Sequence, residues 1–472
     1  MPYERLSPQD ATLRCAEAPG SPLQIGALCL FEADPLLDET GCLRMVELRR
    51  HIESRLGNVP RFGQRLLPVP FDQGRPVWVD DASFDIANHV RAAALPHPGG
   101  PAELRAFMAQ LLEVPLDRSR PLWELWIVEG VEGDRIAVVP KVNHVMADGM
   151  AVLEFALSVL DLEPGPPAEA RPSSEPQPPP ARGRLLLEAM GDQLRCQVAV
   201  GLGAVAALAH PARLLRGMRT LVKAVTLTAM PAPKLPITRP VGRHRDFAWV
   251  PLPLGDLRKI ARSQEVTLND IVLTVVAGAL DRYLADKAMP PEVRPRVLVP
   301  VSTHGRPGEV ENRFSMMVAD LPPGALDPLG RLRVAHADMA ERKASGQSMI
   351  GSLLFNLGAL VAPWLLRPVA ALVLEHQPFV NLAVTNLPGS DDPAYLLGSR
   401  MLELFPFVTV TANIALIIGV LSYDGTLGVG LTADADIIGD LDRVAEALAC
   451  SASELVASGR CSASSVAMQG SH

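Results

Sequence analysis

Apolar residues alternate or run in short blocks over residues 23–32, 75–80, 123–129 and 135–142, the pattern of strands that bury one or both faces. Between them, residues 43–56 and 103–113 set apolar side chains three and four apart, and 150–162 has the same helical texture. Strands alternating with helices predict an α/β unit over residues 1–163. Residues 164–180 break the pattern. They are dense in proline with glutamate and serine, so they cannot continue a helix or supply interior sheet hydrogen bonds, and they read as a linker. Helical spacing returns over 185–230, with a break expected at Pro211. A second α/β unit starts near Lys234. It holds a helix over 268–284, strands over 296–302 and 379–386, a hairpin over 414–434 turning at Asp424-Gly425, and a closing helix over 441–455. The pattern divides the chain into 1–163, a connection over 164–233, a domain over 234–457 and a flexible tail over 458–472. Fraying is expected from Ser451 onward, where residues are small and polar.

Length and composition fit two aliphatic cores, since 472 residues exceed one ordinary core and nearly half are apolar. A net charge of −8 argues against a nucleic-acid binder, whose footprint is basic. The six cysteines form no CxxC pair, so reduced thiols in a cytoplasmic protein are expected rather than a disulfide frame or a zinc site. The opening residues show no signal-peptide pattern. Residues 353–366 form an apolar run of 14, below the ~20 needed to span a membrane. With 369–374 across Arg367, this run is either a buried helix pair or a lipid-facing surface. Arg195, Arg213, Arg216, Arg219 and Lys223 could add attraction to anionic head groups, so reversible association with a membrane or lipid droplet is expected.

Candidate chemistry concentrates in Lys141-Val142-Asn143-His144-Val145-Met146-Ala147-Asp148-Gly149-Met150. His144 falls at a strand end, where an imidazole is held by the sheet yet open to a cleft and can serve as a general base. Asp148-Gly149 can turn the chain into the next helix. Taken alone, the stretch is equally a core histidine with Asp148 capping that helix. Likewise Trp123 after Pro121-Leu122 fits a core tryptophan, Asn269-Asp270 a helix cap, and Asn386 a turn after Thr385. No P-loop, no GxGxxG after a strand, no HExxH and no Gly-x-Ser-x-Gly occurs, so no serine nucleophile is evident.

The stretch resembles the HHxxxDG motif of the CoA-dependent acyltransferase superfamily. More narrowly, the chain resembles the bacterial wax ester synthase/diacylglycerol acyltransferase family. That resemblance runs from Leu6-Ser7-Pro8-Gln9-Asp10 to about Ala457 through Pro121-Leu122-Trp123-Glu124, Asn269-Asp270-Ile271-Val272-Leu273, Pro300-Val301-Ser302, Asn312-Arg313-Phe314-Ser315, Val384-Thr385-Asn386-Leu387-Pro388-Gly389 and Leu421-Ser422-Tyr423-Asp424-Gly425. It implies two chloramphenicol-acetyltransferase-like α/β domains joined by a linker, with active site and tunnel at their interface. It implies an O-acyltransferase that takes acyl-CoA as donor and diacylglycerol or a fatty alcohol as acceptor, without metal or redox cofactor, as monomer or homodimer. His144 would be the base, and Asp148 and Gly149 would set its loop. Pro121, Leu122 and Trp123 would line the acyl pocket, with Asn143, Asn269, Asp270, Thr385 and Asn386 as further substrate-binding positions.

Three positions depart from the family pattern. Asn143 stands where a second histidine is usual. His304 takes the place of an arginine two residues after Pro-Val-Ser, with Arg306 two further on. Ile417 replaces an asparagine, unless Asn413 substitutes for it through a shifted register. Two other readings therefore stay open: an acyltransferase of specialised metabolism with a different acceptor or a carrier-protein donor, and a catalytically weak lipid-binding homologue.

Overall fold

The computed structural model describes residues 3–17, 22–146, 155–156, 158–164, 176–209, 231–302, 314–344 and 377–469. Early in the chain come β1 (Glu4–Arg5), α1 (Pro8–Ala16), β2 (Gln24–Glu32), α2 (Met45–Arg55), β3 (Gln64–Leu67), β4 (Val77–Asp80) and β5 (Val90–Ala94). Next are α3 (Pro101–Glu113), β6 (Trp123–Val131), β7 (Arg135–Asn143) and α4 (Arg182–Ala209). Then follow β8 (Arg245–Pro253), α5 (Leu254–Ser263), α6 (Leu268–Ala285), β9 (Arg296–Ser302), β10 (Phe314–Asp320), α7 (Pro328–Ala344) and β11 (Leu382–Leu387). Last are β12 (Tyr395–Leu396), β13 (Ser399–Val408), β14 (Leu416–Tyr423), β15 (Thr426–Asp434), α8 (Ala435–Ile438) and α9 (Leu441–Gln469).

These elements form two compact units. The first is built on a six-stranded sheet in the order β12-β13-β2-β7-β6-β5, with a small β1-β4-β3 sheet beside it. Only β5 and β6 run parallel in the large sheet. Its central strands β2 and β7 are buried along almost their whole length, which is why they read as near-continuous apolar runs.

One strand departs from the expected contiguous domain over 234–457. Residues 399–408 do not join the second sheet. They pair antiparallel with β2, from Met401 opposite Phe31 to Val408 opposite Ile25. Phe405 and Phe407 are buried there, and the Ser399 hydroxyl donates to the Glu32 carbonyl at 2.6 Å. An alternating pattern marks a strand, but nothing in it names a partner nearly four hundred residues away.

The second unit has the sheet order β10-β9-β11-β14-β15-β8, with β9, β11 and β14 mutually parallel. Helix α6 lies against one face and is apolar almost all round, as a core helix should be. It starts with a capping box. The Thr267 hydroxyl accepts from the Asp270 N–H at 3.2 Å, and the Asp270 carboxylate accepts from the Thr267 N–H at 2.9 Å. The hairpin turns at Asp424 (φ 41°) and Gly425 (φ 78°), the two left-handed residues that a two-residue turn requires.

The closing helix is longer than the sequence pattern suggested. It continues to Gln469, where fraying was expected from Ser451. Ala452 and Leu455 are buried against the second core, and no proline interrupts 441–469. The expected helix over 150–162 is described only in part: residues 155–156 and 158–159 are helical, but 160–162 are not, and Asp161 forms an antiparallel bridge with Tyr395 instead. Pro211, Arg213, Arg216, Arg219, Lys223, His304, Arg306 and residues 349–374 lie outside the described residues.

Candidate active site

Strand β7 delivers His144. Its last residue, Asn143, pairs with Gln24 of β2, and its N–H donates to the Leu122 carbonyl at 3.0 Å. The His144 N–H then donates to the Leu23 carbonyl at 2.8 Å. Beyond this the chain turns. The Asn143 side-chain oxygen accepts from the Val145 N–H at 2.9 Å, and the Asn143 carbonyl accepts from the Met146 N–H at 2.9 Å. The first of these is an Asx turn, a local fold that asparagine forms well. His144 is thus fixed through its backbone on one side and lies inside an asparagine-built turn on the other. The residue is partly exposed, while its ring Nδ1 is buried with no hydrogen-bond partner among the described residues. Asp148 and Gly149 lie outside the described residues.

Asn143 is not left free for a ligand. It is buried, and its amide nitrogen donates to the Glu17 carboxylate at 3.2 Å. Glu17 also accepts from Arg118 at 2.8 Å. Neither Glu17 nor Arg118 belongs to a motif, and nothing in the sequence singles them out.

Pro121, Leu122 and Trp123 are all buried. Trp123 is spent on the core. Its indole N–H donates to the Phe62 carbonyl at 2.8 Å, and its ring stacks on His89 with centroids 4.7 Å apart. Phe62 stacks in turn on Phe155 at 3.8 Å, and Trp123 lies 5.4 Å from Phe155. Phe155 belongs to the segment that follows the His144 loop. The tryptophan therefore packs against Phe155, which agrees with the reading of a core tryptophan. His89 Nδ1 lies 2.8 Å from the Trp123 carbonyl, so that nitrogen must carry the proton, and burial pushes the His89 pKa down. Burial thus favours the neutral form of this histidine.

Helix α2 also contacts the segment that carries Phe155. His51 Nε2 donates to the Val159 carbonyl at 2.8 Å, and burial lowers the His51 pKa as well. Arg55 donates to the Ser158 and Leu160 carbonyls and pairs with Asp161. A guanidinium on the last carbonyls of a helical turn satisfies groups that the turn leaves open.

The remaining sequence candidates lie in the second unit. Asp270 is buried and caps α6, and its carboxylate also takes His336 Nδ1 at 2.9 Å. This fulfils the capping reading. Its neighbour Asn269 is different, because its side-chain nitrogen is buried with no partner among the described residues. Thr385 and Asn386 are partly exposed at the end of β11, beside Gly419 and Val420 of β14. The turn after them needs Gly389, where a Cβ would stand 1.7 Å from the Ser422 carbonyl oxygen.

Of the departures, Ile417 is buried on β14, directly across from Thr432 of β15. The Thr432 hydroxyl is fully buried and unpartnered among the described residues. Asn413 does not supply the missing amide there. It is locked with Gln377, accepting from its amide at 2.7 Å and donating to its carbonyl at 2.8 Å.

The sequence matches two family models, the wax ester synthase/diacylglycerol acyltransferase catalytic domain over residues 6–272 and the WS/DGAT C-terminal domain over 310–455. A Mycobacterium tuberculosis protein named as a diacylglycerol O-acyltransferase is 33% identical over 460 residues, covering 94% of this chain and 88% of that protein. A second from that organism, tgs1, named likewise, is 31% identical over 441 residues, covering 92% and 91%. Among solved structures, the wax ester synthase/diacylglycerol acyltransferase from Marinobacter aquaeolei VT8 matches with a TM-score of 0.65 at 23% identity, covering 97% of this chain and 100% of that one. A starter condensation domain of rhizomide synthetase shares the fold, with a TM-score of 0.58 at 14% identity over 96% of this chain and 95% of that one. Matched along both halves by the family's own domain models, this chain belongs to the wax ester synthase/diacylglycerol acyltransferase family of O-acyltransferases.

Proposed function

We propose that the protein moves a long-chain acyl group from acyl-CoA to the hydroxyl of diacylglycerol or a long-chain alcohol. The observation that carries the reading is His144, a partly exposed residue presented at the end of β7 on an asparagine-built turn, while burial lowers the pKa of the core histidines His51 and His89 of the same unit. In this reading His144 takes the acceptor's hydroxyl proton as the oxygen attacks the thioester carbonyl. The tetrahedral intermediate collapses, the C–S bond breaks, and the proton passes from the imidazolium to the departing CoA sulfur. General base catalysis of this kind is typically worth ~10²–10⁴-fold. Donors facing the developing oxyanion would add to it. Asp148 and Gly149 would set the loop rather than exchange protons.

Acceptor identity is the finer question. Asn143 and Ile417 favour an acceptor profile shifted from that of the family pattern, because one side chain is committed to Glu17 and Val145 and the other is apolar. Association with a lipid surface would bring an apolar acceptor to the enzyme, and no described helix is long and apolar enough to cross a membrane. The test is an acceptor screen with palmitoyl-CoA, following free thiol, on the parent and His144→Ala. Thiol release that needs an added alcohol and His144 supports the reading. Equal release by the mutant sinks it.

A further inference from the structure

Helix α4 buries one side and exposes an apolar ridge on the other. Leu185 and Ala189 are buried, and Leu185 packs with Val77 and Val79 of β4. The helix lies so near that a Cβ on Gly74 would stand 2.7 Å from the Ala189 Cβ. On the opposite side Leu187, Met190, Leu194 and Val198, spaced three, four and four apart, form one stripe. Leu187 is 73% exposed and Leu194 63%. A helix apolar on both sides belongs in an interior, yet this ridge meets solvent.

Phe71 stands beside the ridge, 82% exposed. Its backbone and that of Asp72 are both left-handed, φ 60° and 51°, a region costly for any residue but glycine and most of all for a bulky one. Val69 anchors the turn from below and its carbonyl takes the Asp72 N–H at 3.1 Å. Holding an aromatic ring out in water by a disfavoured backbone gains nothing for the fold. Phe71 and the ridge residues Met190 and Leu194 line an open trough of about 640 Å³, together with Gln73 and Leu186.

The surrounding charge selects the partner. Around this part of α4, Arg5, Arg184 and Arg195 pair with Glu188 and Asp192, and Arg182 adds a fourth positive charge, so that with Asp72 beside Phe71 four arginines stand against three carboxylates. The sequence then holds no acidic residue between Asp192 and Asp246, in a chain whose net charge is −8. A second copy meeting the ridge about a two-fold axis would bring the same arginines face to face, whereas an anionic surface would not. An apolar ridge one helix wide, a protruding aromatic ring and flanking arginines suit the boundary between head groups and acyl chains.

We propose that the α4 ridge and Phe71 are a docking surface for an anionic lipid membrane or monolayer, with the ridge and ring seated among acyl chains and the arginines at the head groups. Its purpose rests on the acceptor being a lipid, but vesicle binding itself does not depend on how His144 acts.

The experiment is flotation of the full chain with phosphatidylcholine vesicles, with and without phosphatidylserine. The parent floats, more with phosphatidylserine and less at high salt. Phe71→Ser and Leu187→Gln/Leu194→Gln each reduce vesicle partitioning roughly ten-fold or more, since each removes at least one large apolar group from the acyl region. Arg184→Gln/Arg195→Gln removes the preference for phosphatidylserine. All of these sites are exposed, so circular dichroism and thermal midpoint stay at parental values. The ridge variants keep thiol release with a short water-soluble alcohol and lose it with vesicle-borne diacylglycerol. His144→Ala floats normally and fails with both, which separates this surface from the catalytic reading. A parent that floats with no vesicle overturns the proposal, as do folded ridge variants that float like the parent. Ridge variants that turn a dimer into a monomer in sedimentation also overturn it, in favour of a second copy.

Discussion

The Glu17 carboxylate accepts from the Asn143 amide at 3.2 Å, across 126 residues of sequence, and so holds the base of the turn that carries His144. Glu17 sits at the C-terminal end of α1, where the helix dipole disfavours a negative charge. Its place is explained by Asn143 and Arg118, not by its own helix. Glu17→Ala leaves a buried amide without its acceptor, a loss of ~1–3 kcal/mol. Much of that loss should fall on the His144 loop. Turnover is expected to drop about ten-fold with the KM for acyl-CoA near normal, and Glu17→Gln, which keeps an acceptor oxygen, should recover most of it. Equal defects in the two variants, or a change confined to thermal stability, would show that Glu17 is only structural.

His144→Ala is the direct test of the base. Turnover should fall by ~10²–10⁴-fold while acyl-CoA affinity stays close to parental, because proton transfer matters mainly in the transition state. Isothermal titration with a non-transferable acyl-CoA analogue reads the affinity separately from the rate.

Thr432 and Ile417 should behave as a coupled pair. Directly opposed residues on antiparallel strands bring their Cβ atoms within ~4.5–5.5 Å. The Thr432 hydroxyl is buried without a partner among the described residues, so Thr432→Val should stabilise the parent by about 1–2 kcal/mol in urea unfolding. Ile417→Asn should be tolerated better when Thr432 is present than in Thr432→Val. Additive effects in that double-mutant cycle would mean that the two side chains do not meet. Acceptor screens on Asn143→His, Ile417→Asn and both together then read substrate choice. A shift from a preference already present in the parent supports divergence of specificity. Turnover that appears only in the reverted chains would favour the lipid-binding reading.

Lys141 supplies a pH test. It is 1% exposed on β7, and burial pushes its pKa down from 10.5 to about 8, with Glu124 pulling the other way and Arg91 lowering it further. Between those values the unfolded chain binds a proton that the folded chain has released, so stability rises with pH. Cys29 opposes this only above its ordinary value of 9.0, because burial raises its thiol to about 12 and the folded chain keeps a proton that the unfolded chain loses. The clean window is therefore pH 8 to 9, where Lys141 should add about 1 kcal/mol. Urea midpoints for the parent and Lys141→Met across that window read it directly. A parental curve no steeper than the mutant's would contradict the assignment.

Much of the architecture was legible because its causes are local. The apolar runs of β2 and β7, the Asp424-Gly425 turn and the Asp270 cap each arise within a few residues. Trp123 shows where locality ends. Its sequence neighbours say that it is buried, but only Phe62, His89 and Phe155, brought from three other segments, say that it is spent on packing. Glu17 and Arg118 were invisible for the same reason, as single charges whose meaning lies in a partner far along the chain. Asn143 stood out as a substitution, but its use as a turn-builder emerges only with the Val145 and Glu17 contacts.

The late strand β13 ties the first sheet to a segment made nearly four hundred residues after β2. Gln24 and Thr409 close the same ladder from positions 385 residues apart. Until the ribosome has released β13, β2 has a bare edge, with unpaired N–H and C=O groups open to any other nascent strand. The first half of this chain is therefore an incomplete object while it is being made. A fragment cut at the proline-rich linker would keep His144 and lose the strand that seals its sheet. Its fate would be aggregation rather than independent activity. Such closure favours slow, chaperone-held folding over domain-by-domain assembly.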